Sequence, residues 1–428
     1  MKFHSIVRSG FAAVTSLALA LGLASCSRDY TVAYVYSVSA ANGTVSAYAV
    51  DYQDGVLTQL NGSPFATQLS NPTTLITAPS GKFLYVIGGT QQSEVEEFAI
   101  GTDGKLYGQH TYNIAGGTYP TAAAIDSTGT FLYVTFTYQT GFTPALPGPG
   151  GVSIFPINAD NSLGTPTSQP LGNNPIGITL VAPTCVTPAS SARNPSNRAC
   201  GTGGAVNVFA YVVDQEASPN ASIVEYYQNT STGALTKLPP SANCTGTPTV
   251  CGIHAGVTPS AITSEPTGRY VYVTDKTSNQ IIGYTIDNTA TYANNGILTP
   301  IVSSPYSTGL YPVSLTVDPR GKYLYTANYN SNTVSSYSIN ASDGSLGGTA
   351  AVGNFSTATG PTCVTVEPAL GIYLFTSNYL DMSISGGQLS PNTGGLTTIA
   401  NSPFPAGALP NCIASVANGE HASSLVNP

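Results

Sequence analysis

The sequence predicts an all-β fold: a seven-bladed β-propeller with four-stranded blades, its ring closed by a C-terminal strand that pairs with the N-terminal blade. Three observations predict it. Composition is rich in turn and strand formers, with 45 Gly, 31 Pro and 26 Tyr in 428 residues, and only 7% of residues are charged. A Pro-led apolar segment followed in most copies by a Gly turn recurs at Pro72, Pro120, Pro175, Pro259, Pro312, Pro361 and Pro410, with spacings of 48, 55, 84, 53, 49 and 49 residues. A period near 50 is that of a four-stranded blade. Finally, the two chain ends are complementary, as shown below.

Within one repeat, alternation and turn signals assign the strands. In the sixth, strand A runs from Pro312 to Val317, and Asp318-Pro319-Arg320-Gly321 forms a tight turn. Strand B spans 322–327, strand C runs from Thr333 to Ile339, and a short edge strand D follows Ser345. The first repeat, by contrast, enters at strand B with VAYVYSVS (32–39), while the last, Pro410–Gly419, is a strand A with nothing to follow it. Each supplies what the other lacks, so the tail completes the first blade and no inner edge is left open.

Long intervals mark insertions at Thr137–Gly151, between Pro183 and Ala205, and at Pro239–Thr258. Loops of that length in a compact fold are usually functional.

Residues 1–25 read as a lipoprotein signal peptide. Lys2 and Arg8 precede the apolar stretch Phe11–Ala24, and Leu23-Ala24-Ser25-Cys26 resembles a bacterial lipobox. That resemblance implies lipidation of Cys26, a tether over 26–31 of at most about 20 Å, and an extracytoplasmic chain held to a bacterial membrane, in the periplasm or at the cell surface, through lipid alone. The propeller then occupies 32–428, with its lower face, where the A–B turns lie, toward the membrane. An oxidising compartment permits disulfides. Cys185 with Cys200 and Cys244 with Cys251 each bracket a loop. Cys363 and Cys412 each fall two residues after a strand A proline in adjacent blades, as a disulfide or as two buried thiols.

The net charge of −8, with 12 basic residues, excludes a nucleic-acid partner. No nucleophile elbow, phosphate loop or metal-ligand spacing occurs, so neither a metal nor a cofactor is expected. The upper face carries the candidates. Aligning the strand B ends puts Ser37, Gly88, Phe136, Asp214, Asp275, Asn328 and Asn378 at equivalent positions beside the channel mouth. They are either turn caps or a polar ring for a small ligand. Tyr119 and Tyr311, before strand A prolines, and Tyr329 could stack on a sugar ring. Among His4, His110, His254 and His421, only His254 sits in an upper-face loop. Lys82, Arg269, Arg320 and Lys322 sit in A–B turns and are read as keeping those turns soluble.

The segments GKFLYVIGG, GRYVYVTDKTSNQIIGYTID and GKYLYTANYNSNTVSSYSI resemble the seven-bladed propeller lactonase family, which includes 6-phosphogluconolactonases and Tyr-Val-Thr-Asn repeat proteins. The resemblance covers the whole mature chain and implies a lactone hydrolase. Family enzymes carry a His at the start of one strand A and an Asp-Leu-Gly-x-Asp pattern after strand B. Here Pro259-Ser260-Ala261 replaces the former and Asp275-Lys276-Thr277-Ser278-Asn279 the latter. The resemblance therefore carries Asp275 over as a catalytic residue, with His254 as a substitute nearby in sequence. Three readings follow: first, a monomeric binding module for a small molecule, glycan or envelope protein, with Asp214, Asn328, Asn378, Tyr119 and Tyr311 at its mouth; second, a lactone hydrolase; third, a scaffold.

Overall fold

The computed structural model describes residues 30–182, 207–215, 221–238, 252–287, 296–347 and 354–419, together with the backbone of 185–186 and 198–199. Among them the strands assemble into seven antiparallel blades. The closing strand, Pro410–Ala417, is strand A of blade 1, paired with Thr31–Ser39, then Thr44–Asp51 and Leu57–Gln59. Strands A of blades 2 to 7 are Pro72–Thr77, Gly117–Ile125, Pro175–Val181, Pro259–Ser264, Pro312–Val317 and Pro361–Val366. The predicted ring closure is observed, with Ala33 opposite Ala417 and Val38 opposite Cys412. The first strand starts at the lower face, since its other end, Ser39, pairs with Pro410.

That pairing corrects one alignment: Ser39, not Ser37, is the blade 1 counterpart of Asn328, which pairs with Pro312. A slip of two residues keeps every side chain on its own face, so alternation alone could not detect it.

Neighbouring blades bury their faces against each other, which explains the tyrosines. Tyr36, Tyr85, Tyr133, Tyr211, Tyr272 and Tyr325 are buried in strand B. Each donates its hydroxyl to a carbonyl in the C–D turn of the next blade: Gly104, Asn161, Gly233, Gly296, Gly344 and Gly394. Blade 7 has Phe375 at this position, and Tyr373 reaches the Tyr52 carbonyl of blade 1 instead, at 3.1 Å. The turn glycines leave room for the rings: a Cβ on Gly344, at φ +74°, would lie 2.3 Å from the ring of Tyr270.

At the lower face, buried acids clamp the A–B turns. Asp318 accepts the N–H groups of Lys322 and Tyr323, both at 2.7 Å, and Glu367 accepts those of Ala369, Leu370 and Ile372. The arginines do more than keep turns soluble. Arg320 pairs with Asp318 at 2.9 Å and donates to the Gly371 carbonyl of the next blade, and Arg269 donates likewise to Ala341.

Candidate functional site

All seven strands A carry the same irregularity just after their proline. Pro72 pairs with Gly88 and Thr74 with Ile87, so Thr73 is an extra, bulged residue. Thr121, Ile176, Ser260, Val313, Thr362 and Asn411 hold the same place in the other blades. A bulge re-aims side chains, and here consecutive residues of each strand turn toward the axis. They line a central cavity of about 340 Å³, with no charged side chain in its wall. Several of its hydroxyls also stitch blade to blade: Thr121 donates to the Pro175 carbonyl at 2.6 Å, Ser260 to Pro312 at 2.7 Å and Thr362 to Pro410 at 3.2 Å.

Cys363 and Cys412 belong to this wall and form a disulfide between the inner strands of blades 7 and 1, with a Cα–Cα distance of 4.9 Å. The Cys185–Cys200 and Cys244–Cys251 expectations, like Cys26, rest on side chains outside the described residues.

The strand B ends are not at the channel surface. Asp214 is 2% exposed, and Asp275, Asn328 and Asn378 are 0% exposed. Asp214 accepts the N–H groups of Asn173 at 3.0 Å and Asn174 at 2.7 Å, just before the strand A proline. Burial raises its pKa, against the pull of those donors. Asp275 accepts from Val257 at 2.7 Å, Thr258 at 3.1 Å, Thr277 at 3.2 Å and Ser278 at 3.3 Å. Burial opposes its ionisation too, but these donors prevail and hold its pKa below the usual carboxylate value. Both carboxylates therefore clamp the loops that enter strand A. Asn328 and Asn378 donate instead into strand C, to Thr333 and Ser335 and to Ser383 and Ser385.

Glycines make this packing possible. A Cβ on Gly172 would lie 1.3 Å from the Asp214 carboxylate, and one on Gly256 would lie 2.7 Å from that of Asp275. This Gly, three residues before the proline, was the available signal that the acid beneath it is covered. His254 is exposed, and its Nδ1 accepts the N–H of Gly256 at 3.3 Å. The proton of the neutral ring therefore sits on Nε2. His110 lies on the outer strand Leu106–Asn113 of blade 2, and His421 is outside the described residues.

Two aromatic pairs stand at the upper mouth. Tyr119 packs edge-on against Tyr138 in blade 3, centroids 5.6 Å apart, and Tyr311 lies 6.2 Å from Tyr329 in blade 6. Lys276 Nζ sits 5.7 Å from the Tyr311 ring centroid and is the one cation among the described residues of the B–C turns. Sequence reasoning missed Lys276 and Tyr138, because their neighbours lie on other strands. No cluster of three metal-ligating side chains occurs among the described residues.

Compared with known proteins, the chain matches the family model "Lactonase, 7-bladed beta-propeller" over residues 32–175 and 205–366. No curated protein matches it. Among solved structures it is similar to a putative 6-phosphogluconolactonase from Bacteroides uniformis, at 17% identity and TM-score 0.63, covering 91% of this chain and 100% of that one. A periplasmic gluconolactonase from Pseudomonas aeruginosa is similar at 16% identity and TM-score 0.63, with the same coverage. At these identities the structures testify to the fold, and the family match, which spans most of the ring, supplies the membership. The chain belongs to the lactonase family of seven-bladed β-propellers.

Proposed function

We propose that the chain opens the ring of an uncharged lactone outside the cytoplasm. The observation that carries this reading is the family match over residues 32–175 and 205–366. Ring opening needs attack by water on the carbonyl carbon, a group that stabilises the oxyanion, and a proton for the leaving oxygen. Lys276, beside Tyr311 at the mouth, is the cation available to face the oxyanion. His254 pairs with Ser222 on the outer side of strand C of blade 4, away from that cation, so the proton taken up by the leaving oxygen is the one the attacking water releases. Asp275 keeps its place as the clamp of the 256–258 loop. A phosphorylated substrate calls for Arg or several Lys, and Lys276 alone argues for a neutral one.

The proposal includes export and a lipid anchor at Cys26, supported by the sequence of residues 2–26. The Cys363–Cys412 disulfide suits that compartment. A non-catalytic binding module is the second reading, favoured because Asp214 and Asp275 spend their carboxylates on backbone donors.

The purified mature chain, assayed with neutral aldonolactones and with 6-phosphogluconolactone, tests both. Hydrolysis of a neutral lactone above its spontaneous rate, reduced about a hundredfold in Lys276→Ala, is expected. Turnover at the spontaneous rate for every lactone sinks the hydrolase reading and leaves the module.

A further inference from the structure

Tyr119 and Tyr311 hold equivalent positions, each just before a strand A proline or its counterpart, and both have positive φ, +58° and +60°. Blades 2 and 7 place Asn71 and Gly360 there, at φ +52° and +71°. Asn and Gly tolerate this region, whereas a bulky side chain pays about 1–3 kcal/mol for it. Burial does not recover that cost at Tyr311, which stays 37% exposed. Strain of this kind, kept by an exposed Tyr311 and a half-buried Tyr119, points to a ligand rather than to packing.

The two tyrosine pairs belong to blades 3 and 6, three steps apart in a ring of seven and so nearly opposite across the mouth. The central cavity of about 340 Å³, which begins at the residues just after the strand A prolines, is lined by Thr and Ser hydroxyls among apolar side chains and carries no charge. A ligand that suits this surface has flat C–H faces for two separated aromatic platforms, hydroxyl groups, which also suit the one cation there, Lys276 at 5.7 Å from the Tyr311 ring centroid, and no net charge. A saccharide has all three, and two platforms on opposite sides call for more than one ring.

We propose that the upper mouth binds a neutral oligosaccharide laid across the channel, one sugar ring stacked on Tyr119, which Tyr138 supports edge-on, and another on Tyr311 beside Tyr329. This deepens the proposed function by giving the lactone a glycan context at the same face. It rests on that reading for its chemistry but not for its binding.

Calorimetric titration of the purified chain with cello-, malto- and chitotetraose and their monosaccharides tests it. One tetrasaccharide should bind at least about tenfold tighter than its monosaccharide. Tyr119→Ala and Tyr311→Ala should each weaken that binding about tenfold or more. Tyr107→Ala, on the outer strand of blade 2, should leave it unchanged. Tyr311→Gly provides a folding control: it suits the backbone, so binding should fall while the melting temperature holds or rises. No binding by any tetrasaccharide, equal binding of the monosaccharide, or an equal loss in Tyr107→Ala each overturns the proposal. Lactone turnover, measured on the same samples, keeps the two proposals separable: binding without turnover removes only the hydrolase, and turnover without binding removes only the oligosaccharide.

Discussion

Cys363 and Cys412 join the inner strand of blade 7 to the strand that closes the ring, two elements separated by 49 residues. The closing strand is the only covalent stranger in its blade, since its partners come from the other end of the chain. By loop entropy the bond should contribute about 4 kcal/mol. Cys363→Ser/Cys412→Ser is expected to lower the denaturation midpoint of the oxidised protein, and reductant to narrow the gap between variant and wild type. An unchanged midpoint on reduction refutes a stabilising role for the bond.

Asp275→Ala should destabilise the fold by about 2–4 kcal/mol, because it strips the acceptor from buried backbone donors of two loops. Chemical denaturation measures it. A stability change below about 0.5 kcal/mol, the range of an ordinary surface substitution, contradicts the clamp.

Glu225 makes stability depend on pH. Burial pushes its pKa up to about 7, against the Leu298 N–H at 2.8 Å and Lys237. A carboxyl whose folded pKa lies above its unfolded value stabilises the fold fully at low pH. That contribution fades as pH rises from the unfolded value through about 7. Burial raises Glu96, Glu97 and Glu367 in the same direction. Glu225→Gln, which keeps the acceptor for Leu298, should therefore raise stability at pH 8 by about 1–3 kcal/mol and flatten the decline. Thermal melts across the pH range that show the wild-type slope intact in the variant contradict this.

Tyr325→Phe should cost about 1–2 kcal/mol, since it leaves the buried Gly394 carbonyl without its donor at 3.0 Å. Phe375, the natural residue at this position in blade 7, shows that the ring alone fits the site. Equal melting temperatures for variant and wild type would remove the hydroxyl from the account of how blades are joined.

Much of the fold was legible because each repeat encodes its own turns. Strands A and C of blade 6, Pro312–Val317 and Thr333–Ile339, fall where alternation put them. The site was less so. Asp275 and Asp214 looked like a polar ring in a linear alignment, and what covers them, Gly256 and Gly172 with their loops, is decided by three-dimensional packing. Arg320 looked like a solubilising residue because its acceptor, Gly371, lies 51 residues away in the next blade.

The order of residues alone determined the period, the number of blades and the exchange between chain ends, since alternation, proline and glycine act over a few neighbouring positions. Tertiary structure alone decided which polar side chains are spent inside and which stand free. That choice depends on backbone groups tens of residues distant, and on a bulge in each inner strand that turns Thr121, Ser260 and Thr362 toward a common axis.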